Sequence, residues 1–285
     1  MTDKQSQTRI FEPDTSLIRQ WSVAVAKAAP YPAPYVAAFG RDNAQLRYIA
    51  AKHHGDIASP TLKTVKQLFD DFKPQVVIVE GVPNEGVVSP SWYLQYARLH
   101  EKTGFRHGGG ETAYAAKLAG DLGIDFVPAE PTDKVKLEGL LAKGYTAADF
   151  LCWNTCQLLH GNNIGEKDAP HRLTSNLQNV ARSAGLEPAT ISFDMFKVWY
   201  AEKMGQDFNP LAAAKDNMSP SKKGNFLQQL TQAVDDVREP HIVRTVAERM
   251  EKFDRVLVVY GSSHLAKQSP VLEKMLGKPE YMKPF

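Results

Sequence analysis

Apolar residues along the chain follow two patterns, short runs and stripes at helical spacing. The short, largely apolar runs lie at positions 46–51, 76–79, 124–128 and 256–260. Such runs are typical of parallel strands buried on both faces, because neither face of the sheet meets water. Helical stripes separate the runs, and strands that alternate with helices build a parallel sheet. The sequence therefore predicts an α/β fold with a mainly parallel central sheet flanked by helices.

The remaining stretches suggest how the chain is organised around that sheet. Residues 35–40 and 45–53 flank a turn and predict a β-hairpin. Helical spacing of apolar residues predicts helices over 15–28, 61–72, 91–102, 111–122 and 265–276, and through most of 132–252. A chain of 285 residues suits one large α/β domain. We therefore expect a single domain over 1–285, with a core at 35–131 and 235–285 and an inserted helical cap at 132–234.

Composition and charge restrict the classes of partner. The net charge is +2 and no long basic run occurs, which argues against a nucleic-acid partner. No apolar run reaches the roughly 18 residues of a membrane span, and the polar first ten residues do not resemble a secretory signal. Cys152 and Cys156 are too few for a disulfide framework. We expect a cytoplasmic protein without a membrane span, and the oligomeric state, a homo-oligomer included, stays open.

Ionisable side chains stand where the apolar runs end. In chain order they are His53 and His54, Glu80, Glu130, and His264. A single one would ordinarily be a solvated or capping group. The carboxyl ends of parallel strands meet along one edge, however, and ligands bind there in open α/β sheets, so we expect these groups to converge. Imidazoles with carboxylates are ligands for Zn, Mn, Co or Fe, and they are equally the groups of general acid–base catalysis.

Two charged residues away from the strand ends are further candidates. Glu111 follows a glycine run and begins a predicted helix. It either faces the positive end of the helix dipole or points into a site that the glycines allow the backbone to approach. Arg238 lies in the long helix before the last strand, with His241 one turn later. An arginine there is ordinarily solvated, but beside a His/Glu cluster it could bind a carboxylate or stabilise an oxyanion.

These motifs resemble those of the TraB/PrgY/Tiki group, within the superfamily that includes erythromycin esterase and the ChaN haem-binding lipoproteins. The matching segments are 261–264 for the family's second Gly-x-x-His, 74–80 for its Pro-Asp-x-Val-x-Val-Glu, 109–111 for its Gly-x-Glu and Arg238 for its late arginine. The first Gly-x-x-His departs from the pattern, because the stretch 51–54 carries alanine in place of glycine. His54 is the better match there, since Ser59 then falls near its expected offset, and His53 stays an alternative.

The resemblance covers about residues 45–131 and 235–277. It implies an α/β core in which the two His motifs face one another, with helices inserted between the halves. It also implies several activities: some relatives are metal-dependent peptidases that use Mn or Co, others are esterases that need no metal, and others bind haem or iron without catalysis. Family membership would therefore not fix the function.

The leading hypothesis is a metal-dependent hydrolase that cleaves a peptide, ester or related acyl bond in a small-molecule or peptide substrate. His54, Glu80 and His264 would hold a divalent metal (Mn, Co, Zn or Fe), which lowers the pKa of a bound water and polarises the carbonyl. Glu111 would be the fourth ligand or the general base, and Arg238 would support the oxyanion or bind a substrate carboxylate. The additional candidates for the site are His53, Glu130 and His241.

Two alternatives use the same residues. In the first, no metal binds, and His54 or His264 activates water while Glu80 or Glu111 orients the imidazole. In the second, the chain is a non-catalytic protein that binds haem, iron or a small ligand. A pure interaction protein fits least, because it would not need ionisable groups at four strand ends.

Overall fold

The computed structural model describes residues 9–83, 90–102, 104–105, 109–160, 164–189, 191–213, 218–219 and 224–284. The chain forms two compact units. The first, which we call the α/β unit, comprises Met1–Glu130 and Glu239–Phe285. The second, which we call the helical unit, is Pro131–Arg238.

The strands and helices follow in this order along the chain. The strands are β1 (Tyr35–Arg41), β2 (Ala44–Ala51), β3 (Val76–Pro83), β4 (Asp125–Glu130), β5 (Arg255–Gly261) and β6 (Glu280–Met282). The helices are α1 (Val23–Lys27), α2 (Pro60–Asp71), α3 (Pro90–Glu101), α4 (Gly110–Asp121), α5 (Asp133–Ala142), α6 (Ala147–Leu159), α7 (Ala169–Ser183), α8 (Phe193–Met204), α9 (Pro210–Ala213), α10 (Phe226–Lys252) and α11 (Ser262–Leu276).

The strands of the described residues form one sheet in the order β4-β3-β5-β2-β1-β6. Neighbours from β4 to β2 are parallel, whereas β1 pairs antiparallel with both β2 and β6. The four parallel strands therefore end side by side at one edge of the sheet. The predicted α/β fold, with a mainly parallel sheet flanked by helices, is confirmed.

Helices cover both faces of this sheet. On one face, Val77 and Val259 belong to an apolar cluster that includes residues of α2, α3 and α4. On the other face, Ile78 and Val258 join residues of α11 and of the carboxyl-terminal part of α10. Burial of each such aliphatic side chain stabilises the fold by about 1.5–3 kcal/mol. Because both faces are covered, the central strands β3 and β5 are largely apolar, and their charged side chains, Glu80 and Arg255, lie near or at a strand end.

The helical unit has an apolar core of its own, rich in aromatic side chains. Phe150, Phe196 and Tyr200 are completely buried there. At the start of α6, Thr146 and Asp149 form a capping box, and Asp149 Oδ1 also accepts a hydrogen bond of 2.8 Å from Trp199 Nε1. Over the described ranges of both units, no helix is long and apolar enough to cross a membrane.

One predicted helix is wrong and one strand was not predicted. Residues 15–28 form a 3-10 helix (Thr15–Leu17) and the short α1 instead of one continuous helix. Neither piece buries a residue, so no apolar face holds them together as a helix. Between them, Ile18 is extended and the Arg19 N–H donates to the carbonyl of Lys267. The unpredicted strand is β6, whose three residues are ordered by pairing with β1.

Candidate functional site

The predicted strand-end residues lie along the carboxyl edge of the parallel strands. Glu130 ends β4, Glu80 lies near the end of β3, His264 follows β5 within the first turn of α11, and His53 follows β2. Since these strands are neighbours in the sheet, the four groups stand in one row. Near Glu80 the pairing of β3 with β4 shifts register after Val79, an irregularity that re-aims side chains at the end of a strand.

A histidine–glutamate pair lies at the end of β2. His53 Nδ1 is 2.5 Å from Glu111 Oε1, and the backbone N–H of His54 donates to Glu111 Oε2 at 3.2 Å. The Glu111 side chain is 5% exposed, whereas the His53 side chain is 67% exposed. The carboxylate is thus fixed from two directions, while the far side of the His53 ring meets solvent.

Two glycines allow the helix that carries Glu111 to start against the loop that carries His53. Gly109 and Gly110 have positive φ angles of 68° and 47°. This backbone conformation is strained for residues that carry a side chain. A Cβ on Gly110 would lie 3.0 Å from the carbonyl oxygen of His54. The glycine run therefore brings the first turn of α4 close enough for Glu111 to reach the imidazole.

The hydrogen bond that His53 donates to Glu111 also changes the acid–base behaviour of His53. It stabilises the imidazolium, and together with the nearby carboxylate of Glu80 it raises the pKa of His53 above the ordinary histidine value, although burial opposes the shift. Because Nδ1 faces Glu111, Nε2 is the ring atom left for chemistry. His53 therefore has the orientation and the basicity of a general base.

Glu80 links this pair to the second strand-end histidine. Its Oε2 accepts a 2.6 Å hydrogen bond from the Gly261 N–H, and its Oε1 lies 3.2 Å from His264 Nε2. A Cβ on Gly261 would lie 2.8 Å from His53 Nε2 and 3.3 Å from Glu80 Oε2. His53 Nε2 and Glu80 Oε2 therefore border the same small space above Gly261. The missing side chain of Gly261 lets both histidines approach one carboxylate.

His264 is set deep in the α/β unit. Its side chain is 5% exposed, and its Nδ1 lies 2.8 Å from Oε1 of Glu239, whose side chain is 1% exposed. His264 Nδ1 and Glu239 Oε1 are close enough for an ion pair, although their geometry is not that of a hydrogen bond. Lys267 Nζ makes a short ion pair with the same oxygen, and Gln268 Nε2 donates to Glu239 Oε2 at 2.6 Å. The carboxylate of Glu239 therefore stands between two cations.

These buried charges shift each other's acidity. Burial disfavours the charged imidazole, but the carboxylates of Glu239 and Glu80 outweigh it and raise the pKa of His264 to about 9. Burial likewise disfavours the Glu239 carboxylate, but His264 and Lys267 outweigh it and lower the pKa of Glu239. His264 is thus an imidazolium at neutral pH, held between two carboxylates.

A cleft of about 480 Å³ opens over the exposed pair. It is lined by both β2-end histidines and Gly55, by Glu80 and Gly81 of β3, by Phe105, and by residues 109–112 at the start of α4. The charged and titratable groups of this lining are His53, His54, Glu80 and Glu111, and glycines make up much of the rest. A small ligand in this cleft would meet His53 and Glu80 together.

The other predicted site residues are placed as follows. His54 lines the cleft, but its Nδ1 accepts a hydrogen bond from the Asp56 N–H at 3.1 Å. Glu130 is buried at the end of β4, and His241 lies half-buried on α10 in the α/β unit. Arg238 belongs to the helical unit, where its Nη1 is 3.5 Å from Asp235 Oδ1. Their parts in the predicted site stay predictions.

The donor set at the edge of the sheet fits a divalent metal by its chemistry. His53 and His264 each turn Nδ1 toward a buried carboxylate, which is how metal-binding histidines are commonly oriented, with Nε2 directed at the ion. His264 Nε2 lies 3.2 Å from Glu80 Oε1, and His53 Nε2 and Glu80 Oε2 both border the space above Gly261. Imidazole with carboxylate suits Zn, Mn, Co or Fe. Among the described residues, no three His, Cys, Asp or Glu side chains are arranged as a ready metal-binding group.

Glu239, Lys267 and Gln268 were not predicted from the sequence as part of this cluster. The available signal was a polar residue within an apolar helical stripe. Glu239 stands three residues before the buried Ile242, and Lys267 stands four residues before the buried Val271. A charged residue on a buried face requires a partner, but the stripe does not reveal which one.

Comparison of the chain with protein-family models and with curated proteins finds no match. The resemblance to the TraB/PrgY/Tiki group therefore stays a prediction carried by the short motifs.

Proposed function

We propose that the protein is a hydrolase that cleaves an ester, peptide or related acyl bond, with His53 as the general base and Glu111 as the carboxylate that orients it. The observation that carries this proposal is the 2.5 Å contact between His53 Nδ1 and the buried Glu111 carboxylate. A base for hydrolysis must be reachable by substrate and held in one tautomer. His53 combines both features in the lining of the cleft.

The proposed reaction follows from the two ring nitrogens of His53. Nε2 removes a proton from a water molecule while the water oxygen bonds to the carbonyl carbon of the substrate. Glu111 stabilises the imidazolium that forms, as the acidic member of such pairs does. The imidazolium then returns the proton to the leaving oxygen or nitrogen as the acyl bond breaks. Glu80, beside the same Nε2, can accept a hydrogen bond from the attacking water.

The test compares the two adjacent histidines. His53→Ala should lower kcat/KM on a responsive ester or peptide by roughly 10²–10⁴-fold, because it removes the base. The comparison variant is His54→Ala, which removes an imidazole of the same cleft that this mechanism does not use and whose Nδ1 accepts from the Asp56 N–H. A loss there as large as in His53→Ala would support His54 as the site histidine instead. A panel of ester and peptide substrates serves both variants. Wild-type turnover that survives in His53→Ala would refute the role of His53.

A metal-dependent form of this hydrolase is a second candidate, favoured by the approach of His53 Nε2 and His264 Nε2 to Glu80. A bound Mn, Co, Zn or Fe would supply a Lewis acid for the carbonyl and a more acidic water. His264, Glu80 and a β2-end histidine, His53 or His54, would hold it. Elemental analysis of wild type beside His264→Ala and Glu80→Ala tests this: near-stoichiometric metal lost in both variants supports it.

The same experiments separate the remaining alternatives. Activity that resists a chelator, in protein that stays metal-free after reloading, would select the metal-independent esterase. A Soret band on haem addition, without turnover of any ester or peptide, would select a binding protein. We also propose a reducing, cytoplasmic setting, because Cys152 and Cys156 are too few for a disulfide framework in a chain of this length. A small-molecule or peptide substrate fits the size of the cleft.

A further inference from the structure

We propose that Glu239 is a positioning residue for the reaction: it holds the imidazole of His264 toward Glu80 and thereby fixes Glu80 beside His53. This inference rests on the proposed function, because Glu80 matters only if chemistry occurs at His53. Among the described residues that line the cleft, neither Glu239 nor its partners His264, Lys267 and Gln268 occur. Its effect would therefore pass through other side chains rather than through contact with substrate.

The first step of the argument is the direction of the His264 ring. His264 has two nitrogens and each faces a carboxylate, Glu239 at 2.8 Å from Nδ1 and Glu80 at 3.2 Å from Nε2. A ring held at both ends by opposite charge has one favoured orientation. Removal of the charge at Nδ1 would leave the ring attached at Nε2 alone, and the ring and Glu80 could then move together.

The second step is that Glu239 is itself fixed. Lys267 Nζ pairs with its Oε1, and Gln268 Nε2 donates to its Oε2 at 2.6 Å. Gln268 is oriented in turn by the Tyr48 hydroxyl, which donates to its Oε1 at 3.0 Å. All of these side chains are buried. A continuous polar chain therefore runs from Tyr48 on β2 to Glu80 on β3.

The third step concerns the place where this polar network ends, at Glu80. Glu80 Oε2 accepts the Gly261 N–H, and the space above Gly261 is bounded by His53 Nε2. A buried polar network is often no more stabilising than apolar packing of similar volume. Stability alone therefore gives little reason for a buried Lys–Glu–His series. Its termination beside the proposed base is the feature that a positioning role explains.

The test uses an isosteric change that removes only the charge, Glu239→Gln. We expect kcat to fall roughly 10–100-fold, the usual cost of losing such an orienting carboxylate, with KM nearly unchanged. We also expect the ¹⁵N imidazole signals of His264 to shift in NMR spectra. The matched control is Glu251→Gln, which makes the same change on α10 at a carboxylate that accepts from the Phe11 N–H. It should alter neither readout.

A second variant covers the case in which Glu239→Gln does not fold. Tyr48→Phe/Gln268→Leu removes the outer hydrogen bonds and keeps the three charges, so it should give the same two effects at smaller size. A folded variant of either kind with wild-type kcat and unchanged His264 signals overturns the inference, as does a loss expressed only in KM. If the wild type turns over no substrate, the proposed function fails, and the His264 signals alone decide whether Glu239 orients this ring.

Discussion

The two strand-end histidines of the α/β unit each face a buried glutamate, but one ring is exposed to solvent and the other is buried. At the end of β2, the His53 ring faces a buried glutamate but is 67% exposed itself. At the end of β5, His264 faces a buried glutamate and is only 5% exposed. The carboxylate of the first pair also accepts the backbone N–H of His54, whereas the carboxylate of the second pair also binds Lys267 and Gln268. The difference shows what burial of an imidazolium requires.

The comparison indicates that the exposed His53 is suited to proton transfer and that the buried His264 is suited to holding other groups in place. An exposed imidazole can exchange protons with water and substrate, and water can still solvate it after its carboxylate partner is removed. A buried imidazolium can hold another group in place, but its loss or the loss of its partner leaves an uncompensated charge in a medium of low dielectric. We therefore expect changes at the β2 end to appear mainly in activity and changes at the β5 end to appear mainly in stability.

The largest expected effect is on stability at the β5 end. Glu239→Ala leaves Lys267 and His264 buried without their shared carboxylate, so the free energy of unfolding should fall by about 3–5 kcal/mol. Glu111→Ala should cost only about 1–3 kcal/mol, because water can solvate the exposed His53. Urea unfolding of both variants measures the difference. Equal losses would show that the two pairs are energetically alike and that the comparison fails.

The next largest effect should be on activity, after a substitution at Gly261, which lies between the groups at the β2 end and those at the β5 end. Gly261 has φ of −56°, which any residue adopts, so Gly261→Ala strains no backbone. Its Cβ would lie 2.8 Å from His53 Nε2, and the exposed ring can move away at a stability cost below about 1 kcal/mol. The displaced base should lower kcat/KM by about tenfold or more. Gly165→Ala is the control, since no atom of the described residues lies within 4 Å of the Cβ it would add.

The pH dependence of stability should report His264. Its folded pKa is about 9, above the roughly 6.5 of an unfolded histidine. A raised folded pKa adds stability that is complete below 6.5 and is lost as the pH rises through 9. The free energy of unfolding of the wild type should therefore fall across that window, and His264→Gln should flatten the curve. An unchanged slope in the variant would mean that His264 is not the group that titrates.

The pH dependence of activity should report His53 instead. As a general base it works in its neutral form, so the rate should rise with pH through a midpoint above the ordinary histidine value, because Glu111 raises its pKa. Glu111→Gln removes the charge and should move that midpoint to lower pH. Rates for both proteins are compared on one uncharged ester. A midpoint that stays in place would separate Glu111 from the titration of the base.

The sequence predicts the architecture around these pairs well, for a simple reason. The runs 76–79 and 256–260 can be buried on both faces only as central parallel strands, and they form β3 and β5. Once strands end together, Glu80 and His264 must come near each other. The glycines before Glu111 predict a close approach of backbone to a ligand, which stays a prediction. In the structure, a Cβ on Gly110 would lie 3.0 Å from the carbonyl oxygen of His54.

The details of the site depend on information that spacing does not contain. His53 and His54 are adjacent, and which ring turns inward is decided by the backbone after Ala51 and by the position of α4. Glu239 is one of several buried polar residues on α10, and its partners lie on another helix, α11. Local patterns identify buried faces, but pairing between distant elements is a property of the tertiary structure.

The smallest expected effect tests how far the buried network extends from the β5 end. The Tyr48 hydroxyl donates to Gln268 Oε1 in a fully buried environment, and Tyr48→Phe removes that bond while the ring still packs. A single neutral hydrogen bond contributes about 1 kcal/mol, so the urea midpoint should fall by that equivalent. Tyr31→Phe, at a half-buried ring, is the control. If Tyr48→Phe is as stable as the wild type, the network that supports His264 ends at Gln268, and the contrast with His53 rests on Glu239 and Lys267 alone.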